Sequence, residues 1–245
     1  MSWDKQYYDD LWDRTWRRGG RFDELSGKIK PRVEIPDPRY LQIGEARSIT
    51  GAVLFVDIVS FTERSKRTAP KDLLLTLDLF LAEMAQIVND WDGVIEKFTG
   101  DGLMAIFDTA YGDESKMVKD IIDVATTMRY AIAKPINSYL ENKKIEPIHY
   151  RIGVDGGNLL VGKLGVRSDN DPVTIGFAAN IASKLQEIAP IDGILIGHYI
   201  YFHLPDWEKA YCFRQQSPAD WTYIRIGTSE KYPFYSYSAE WKIPP

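Results

Sequence analysis

The segment Gly51–Ile58, GAVLFVDI, constrains the fold more than any other stretch of the chain. It is apolar at successive positions rather than alternate ones, and Asp57 is its only charge. A strand of that composition must be covered on both faces, so it belongs in the middle of a sheet. The sequence around it supplies the covers. Pro70 opens KDLLLTLDLFLAEMAQIVNDW, in which Leu73, Leu77, Leu81, Met84 and Val88 mark an apolar helical stripe that Gly93 closes. VIEKFTGDGLMAIF then reads as two strands around a hairpin with Asp101 at its tip. Met117 to Leu140 predicts a second long amphipathic helix. HYRIGVDGGNLLVGKLG reads as two strands with a Gly-Gly break, TIGFAANIASKLQEIA as a third helix, and GILIGHYI with the aromatic C-terminus as further strands and a short helix. The order β-α-β-β-α-β defines an α+β fold of the ferredoxin-like, split-βαβ kind: an antiparallel sheet with helices on one face.

Ahead of this domain, Trp3, Tyr7, Leu11 and Trp12 recur at helical spacing, and Gly19-Gly20 is expected to end the helix they form. Pro31, Pro36 and Pro38 then suggest an extended linker. Residues 1–48 therefore read as an N-terminal helix and Pro-containing arm, and residues 49–245 as the main domain. The aromatic stripe is expected to dock onto its own domain; packing against a partner subunit is the alternative.

With 35 acidic against 30 basic side chains, the net charge is −5, which argues against a broad nucleic-acid footprint. An anionic ligand would have to be held by local cations and metal. Cys212 is the only cysteine, so disulfides and thiolate metal cages are excluded and a reducing, cytoplasmic setting is expected. No run approaches the ~20 apolar residues of a membrane helix. The charged opening MSWDKQYYDDLWDRTWRRGG does not resemble a signal peptide, so neither membrane association nor export is expected.

Two carboxylates stand out by position. Asp57 ends the first buried strand and Asp101 sits at the hairpin tip. In a split-βαβ sheet those strands can be neighbours, ~4.8 Å apart. Carboxylates that close repel unless a cation or a shared proton intervenes. Hard divalent ions suit them, two Mn²⁺ or Mg²⁺ per site, with triphosphate oxygens completing the coordination. Each aspartate alone has a structural explanation, as a hairpin-turn residue or an Asx-turn. Together and in this order they favour chemistry.

VLFVDIVSFT, IEKFTGDGLMAIF, YRIGVDGGNLLVGKLG and TIGFAANIASKL, in that order over residues from about 49 to 200, resemble the class III adenylate/guanylate cyclase domain. The resemblance implies that Asp57, Asp101 and the backbone carbonyl of Ile58 are metal ligands. It implies that backbone N–H groups of Ser60, Phe61 and Thr62 cradle the β- and γ-phosphates, and that Arg151 grips the triphosphate. Asn180 would orient the ribose, and Lys184 stands where the family usually has arginine, one helical turn on. The reaction would be attack of the ribose 3′-hydroxyl on the α-phosphorus with loss of pyrophosphate, driven by positioning and charge stabilisation. His149, His198 and His203 show no ligand or triad spacing and read as structural. The family builds its site between two domains; one chain carrying both halves implies a head-to-tail homodimer.

Lys97 stands where adenylate cyclases place the lysine that reads the base, and Val173 stands where they carry a polar partner. The Ala-Ala-Asn and lysine of NDPVTIGFAANIASKL, with the terminal SYSAEWK, resemble more closely the pyrimidine cyclases of bacterial Pycsar antiphage systems. That resemblance implies cyclic UMP or cyclic CMP as product, acting on a separate effector, with UTP first, CTP second and ATP third as substrate. Phe55 would narrow the pocket for a single ring, or is an ordinary strand residue. The alternatives are an adenylate cyclase and a catalytically inactive nucleotide-binding regulatory dimer, for which Lys184 and the lack of a clear second triphosphate lysine (Lys231 at best) leave room. A diguanylate cyclase is set aside because its Gly-Gly-acid hairpin is absent, and a ferredoxin-like RNA binder because no basic surface is evident.

Overall fold

The computed structural model describes residues 5–25, 46–109, 113–166 and 169–240. Its central strand is β1 (Ala46–Ile58), which pairs antiparallel with β3 (Gly102–Asp108) on one side and with β4 (Tyr150–Val166) on the other. With β2 (Val94–Phe98) outside β3, the strand order β2-β3-β1-β4 is that of the split βαβ. The sheet continues through β6 (Gly193–Gly197), β8 (Phe234–Tyr237) and β7 (Cys212–Arg214), while β5 (Asp169–Ile175) pairs with the far half of β4. All pairings between these strands are antiparallel except β4 with β6.

Both faces of β1 are covered, as its composition requires. Ala52, Leu54, Val56 and Ile58 enter the main core with α3 (Pro70–Asp90) and α4 (Glu114–Ala131). Val53 and Phe55 face the other way, into a smaller cluster with Met104, Ile106, Leu159 and the alanines Ala178, Ala179 and Ala182 of α6 (Phe177–Ile188). Helices therefore lie on one face as expected, and α6 adds a cover on the opposite face. The three small residues of α6 let it sit close to the sheet.

Four local expectations differ from the structure. The helix α1 (Lys5–Leu25) runs through Gly19-Gly20 instead of stopping there. Docking holds it: Tyr8 and Leu11 are buried in the main core, and Arg14 and Arg18 both reach the buried Glu83 at 2.7 and 2.9 Å. The aromatic stripe thus packs onto its own domain; Trp3 and the three prolines of the arm lie outside the described residues. Of the expected stripe of α3, Met84 and Val88 are buried and Leu77 and Leu81 pack partly buried against the core, but its centre is shifted to Leu75, Leu79, Phe80 and Ile87, because α1 covers a flank that periodicity alone cannot locate. The second long helix is not uniform: Pro135, which lacks an N–H, falls in a π-helical turn (Ile132–Ile136) that joins α4 to α5 (Asn137–Asn142). Finally, β4 is one strand. Gly156 and Gly157 keep their pairing to Ala52 and Gly51 without a break.

Among the described residues, no helix is long and apolar enough to cross a membrane.

Candidate active site

The register of β1 against β3 creates the site. Asp57 is opposite Gly102, so Asp101 stands one residue beyond the pair, and the Ile58 N–H donates to the Asp101 carbonyl at 3.2 Å. The hairpin that presents Asp101 is a two-residue turn closed by the Thr99 N–H on the Gly102 carbonyl at 2.9 Å. Its positive φ of 97° falls on Gly100, the first central position, where glycine is favoured. Gly102 serves a different need. A Cβ there would lie 2.4 Å from the Val56 carbonyl and 2.6 Å from Asp57 Oδ1. Only a bare backbone lets β3 pass the carboxylate.

Burial, then the charge and hydrogen-bonding contact of Asp101, push the Asp57 carboxyl up to about 6, against weaker opposite pulls from the Ile58 backbone and Arg151. Two carboxyls in contact form an all-oxygen site suited to hard divalent ions, which would relieve their mutual repulsion. Among the described residues there is no cluster of three or more His, Cys, Asp or Glu side chains. Further oxygens would have to come from backbone, water or a bound anion. Ile58 is buried, so its backbone is what it can offer.

Beyond Ile58 the chain turns sharply. The Val59 N–H donates to the His149 carbonyl at 2.9 Å, and Ser60 is left-handed at φ 56° before the single helical turn α2 (Phe61–Ser65). The Phe61 ring packs against the core, while Ser60 and Thr62 on either side of it are exposed. Arg151 is directly opposite Asp57 on β4, which puts both side chains on the α6 face. One of its nitrogens donates to the Glu187 carbonyl of α6 at 3.1 Å, while its Nε is buried with no hydrogen-bond partner among the described residues.

The remaining candidates form a second group. Lys97 pairs with Met104 on β3 and is exposed, its ammonium 3.2 Å from Glu96. Val173 lies on β5 opposite Gly162. A hydrogen bond of 3.0 Å from the Thr174 N–H to Glu96 ties β5 to β2. Asn180 is exposed on the side of α6 away from the sheet, and Lys184, one turn on, is ion-paired to Glu187 at 3.0 Å. Asp57 lies on the sheet beneath α6 and Asn180 on its outer side, so one chain does not bring Asn180 to its own carboxylates. Phe55 is half-buried beside Met104 in the cluster under α6.

The histidines are engaged elsewhere. His149 Nδ1 lies 2.7 Å from Asp192, His203 Nε2 lies 2.9 Å from Glu114, and burial holds the His198 imidazole below its usual value. Lys231 reaches the Pro218 carbonyl at 3.5 Å. Sequence reasoning missed Glu96, 1% exposed beside Lys97, because a charged pair on an edge strand ordinarily reads as solvated surface. It also missed Asp155, fully buried and hydrogen-bonded by Tyr232 at 3.1 Å, within a run read as two strands with a Gly-Gly break.

A split-βαβ sheet here brings two carboxylates together at the β1–β3 junction, an arrangement able to hold a hard divalent ion. The profile of the adenylate and guanylate cyclase catalytic domain matches residues 45–227, and the chain belongs to that family. It is 28% identical over 157 residues to a cytidylate cyclase of Staphylococcus aureus, covering 62% of this chain and 37% of that one. It is 25% identical over 172 residues to a uridylate cyclase of Burkholderia cepacia, covering 68% and 74%. Among solved structures, the adenylyl cyclase CyaB of P. aeruginosa superposes with a TM-score of 0.68 at 25% identity, covering 82% of this chain and all of that one.

Proposed function

We propose that the chain is a pyrimidine nucleotide cyclase, converting UTP, and next CTP, to the 3′,5′-cyclic monophosphate and pyrophosphate. The observation that carries the cyclase part of this reading is the meeting of Asp57 and Asp101 at the β1–β3 junction with Arg151 opposite. Divalent ions held there, Mn²⁺ or Mg²⁺ and two per site, would supply charge neutralisation on the triphosphate and a lowered pKa for the attacking hydroxyl. The backbone of Ser60, Phe61 and Thr62 then receives the β- and γ-phosphates, and the Arg151 fork grips a phosphate oxygen pair.

Asn180 and Lys184 face outward on α6, which supports a head-to-tail homodimer in which each chain lends that helix face to the other's carboxylates. Asn180 would hold the ribose so that the 3′-oxygen lies in line with the α-phosphorus, and Lys184, released from Glu187, would meet the charge that builds on the phosphorus. The O3′–P bond forms as the bond to pyrophosphate breaks. The relatives named cytidylate and uridylate cyclase support the pyrimidine reading, as does the apolar Val173. A cytoplasmic enzyme whose product acts on a separate effector in antiphage defence is the setting this reading fits. The pairing of Lys184 with Glu187 favours one other reading, an inactive nucleotide-binding dimer.

The test is mass spectrometry of products from ATP, GTP, CTP and UTP with Mn²⁺. Cyclic UMP or CMP is expected; cyclic AMP alone would refute the pyrimidine assignment, and no product at all would leave the inactive dimer.

A further inference from the structure

The bulge in β2 decides where Glu96 points. Ile95 and Phe98, three residues apart, both pack on the α3–α4 side of the sheet. Residues three apart in a regular strand face opposite ways, so the extra residue turns Glu96 and Lys97 together to the α6 side. There Glu96 is 1% exposed. One carboxylate oxygen accepts the Thr174 N–H; the other lies 3.2 Å from the Lys97 ammonium yet has no hydrogen-bond partner of good geometry among the described residues. Thr174 is opposite Val161, whose side chain also packs on the α6 side, and its hydroxyl is buried and equally without a partner.

Buried polar atoms are nearly always hydrogen-bonded, and each exception calls for an explanation, a bound water, ion or ligand among them. Here an acceptor, a hydroxyl and an ammonium share the α6 side of β2 and β5, while Val173, next to Thr174 on a regular strand, turns its side chain to the other side. We infer that Glu96, assisted by Thr174, is a specificity-determining residue: its carboxylate accepts from the N–H or amine on the base's pairing edge while Lys97 donates to the adjacent acceptor. The bulge thus supplies an acceptor from β2 on the side of the sheet that Val173 turns away from. The pattern suits uracil through N3–H and O4, and cytosine through its amine and N3. The inference rests on the cyclase reading above, in which Lys97 meets the base.

The test uses the full chain and its Glu96→Gln, Thr174→Val and Lys97→Ala variants. Binding of the four 3′-deoxynucleoside triphosphates, which cannot cyclise, is measured by calorimetry with Mn²⁺, alongside KM and kcat for the natural substrates. Glu96→Gln keeps an acceptor for the Thr174 N–H but reverses one hydrogen-bonding option. It is expected to weaken binding of the preferred nucleotide by ~10-fold or more, to alter the order of the four bases, and to raise KM with kcat within ~3-fold. Thr174→Val, nearly isosteric, should alter the order in the same direction by a smaller factor, and it decides the matter if Glu96→Gln does not fold. If Lys97→Ala changes base order while Glu96→Gln and Thr174→Val leave it untouched, Glu96 only braces β5 and the inference fails with the pocket intact. If none of the three changes base order, the base is not read on β2, and the pocket assignment falls with the inference.

Discussion

Replacing Gly102 with alanine puts a methyl group where the Asp57 carboxylate now lies. The new carbon would stand 2.4 Å from the Val56 carbonyl, 2.6 Å from Asp57 Oδ1 and 2.8 Å from Thr99 Oγ1. An unstrained carbon–oxygen contact is ~3.3 Å or more, so the first two overlaps approach ~1 Å. Val56 belongs to the central strand and is paired on both sides, so it cannot yield. The strain falls on the Asp57 side chain and on the hairpin carrying Asp101. Overpacking of this kind costs about 1–3 kcal/mol, or roughly 2–4 °C of melting temperature per kcal/mol at this chain length. A catalytic group displaced by ~1 Å can cost ~10²-fold in rate. Gly100→Ala is the control: its Cβ meets nothing within 4 Å, yet its φ of 97° makes any side chain strained. It should lose about 1–2 kcal/mol of stability and far less activity, since Asp57 is not touched. Thermal melts and initial cyclisation rates for the two variants separate backbone strain from carboxylate displacement. A Gly102→Ala enzyme with the parent's rate would refute the claim that the β1–β3 contact sets the site.

Asp57→Ala and Asp101→Ala should each abolish cyclisation while melting near the parent; activity in both would overturn the metal-ligand assignment. Burial pushes Asp155 up to about 8, far above its unfolded value, so the fold favours its protonated form. The stability from that protonation is complete below about pH 4 and is lost as pH rises toward 8; urea titrations at pH 5, 7 and 8.5 should show the decline, and Asp155→Asn should flatten it. Removing both Arg14 and Arg18 leaves Glu83 buried without its partners on α1. The half-exposed arginines moderate the effect, so the double alanine variant should lose about 1–3 kcal/mol and gain proteolytic sensitivity within α1; an unchanged melt would mean that α1 is held by its apolar side alone.

The legible part of this protein is the part where composition and position say the same thing. GAVLFVDI could only be a central strand, and Asp57 at its end next to a Gly-Asp-Gly hairpin could be paired before any coordinate was known. What escaped reading depended on tertiary contact. Gly19-Gly20 would end a free helix, but anchoring of Tyr8, Leu11, Arg14 and Arg18 carries α1 through it. The glycine pair in β4 resembled a break because sequence does not show that Ala52 and Gly51 hold the ladder on the other side. Glu96 was invisible for the same reason: a bulge shifts facing by one residue, and no periodicity in a five-residue strand records it. The separation of Asp57 and Asp101 from Asn180 was already implied by the resemblance to a family that builds its site between two domains, and the outward exposure of Asn180 on α6 agrees with it.

The most direct measurement is a single-turnover assay mixing two inactive variants, Asp57→Ala and Asn180→Ala, with Mn²⁺ and labelled UTP. If each site takes its carboxylates from one chain and its α6 face from the other, the mixture regains one intact site per heterodimer and cyclic UMP appears where neither variant alone makes any. Silence from the mixture, with the parent active and mixed dimers verified, would contradict a site shared between two chains and with it the account of how this fold performs cyclisation.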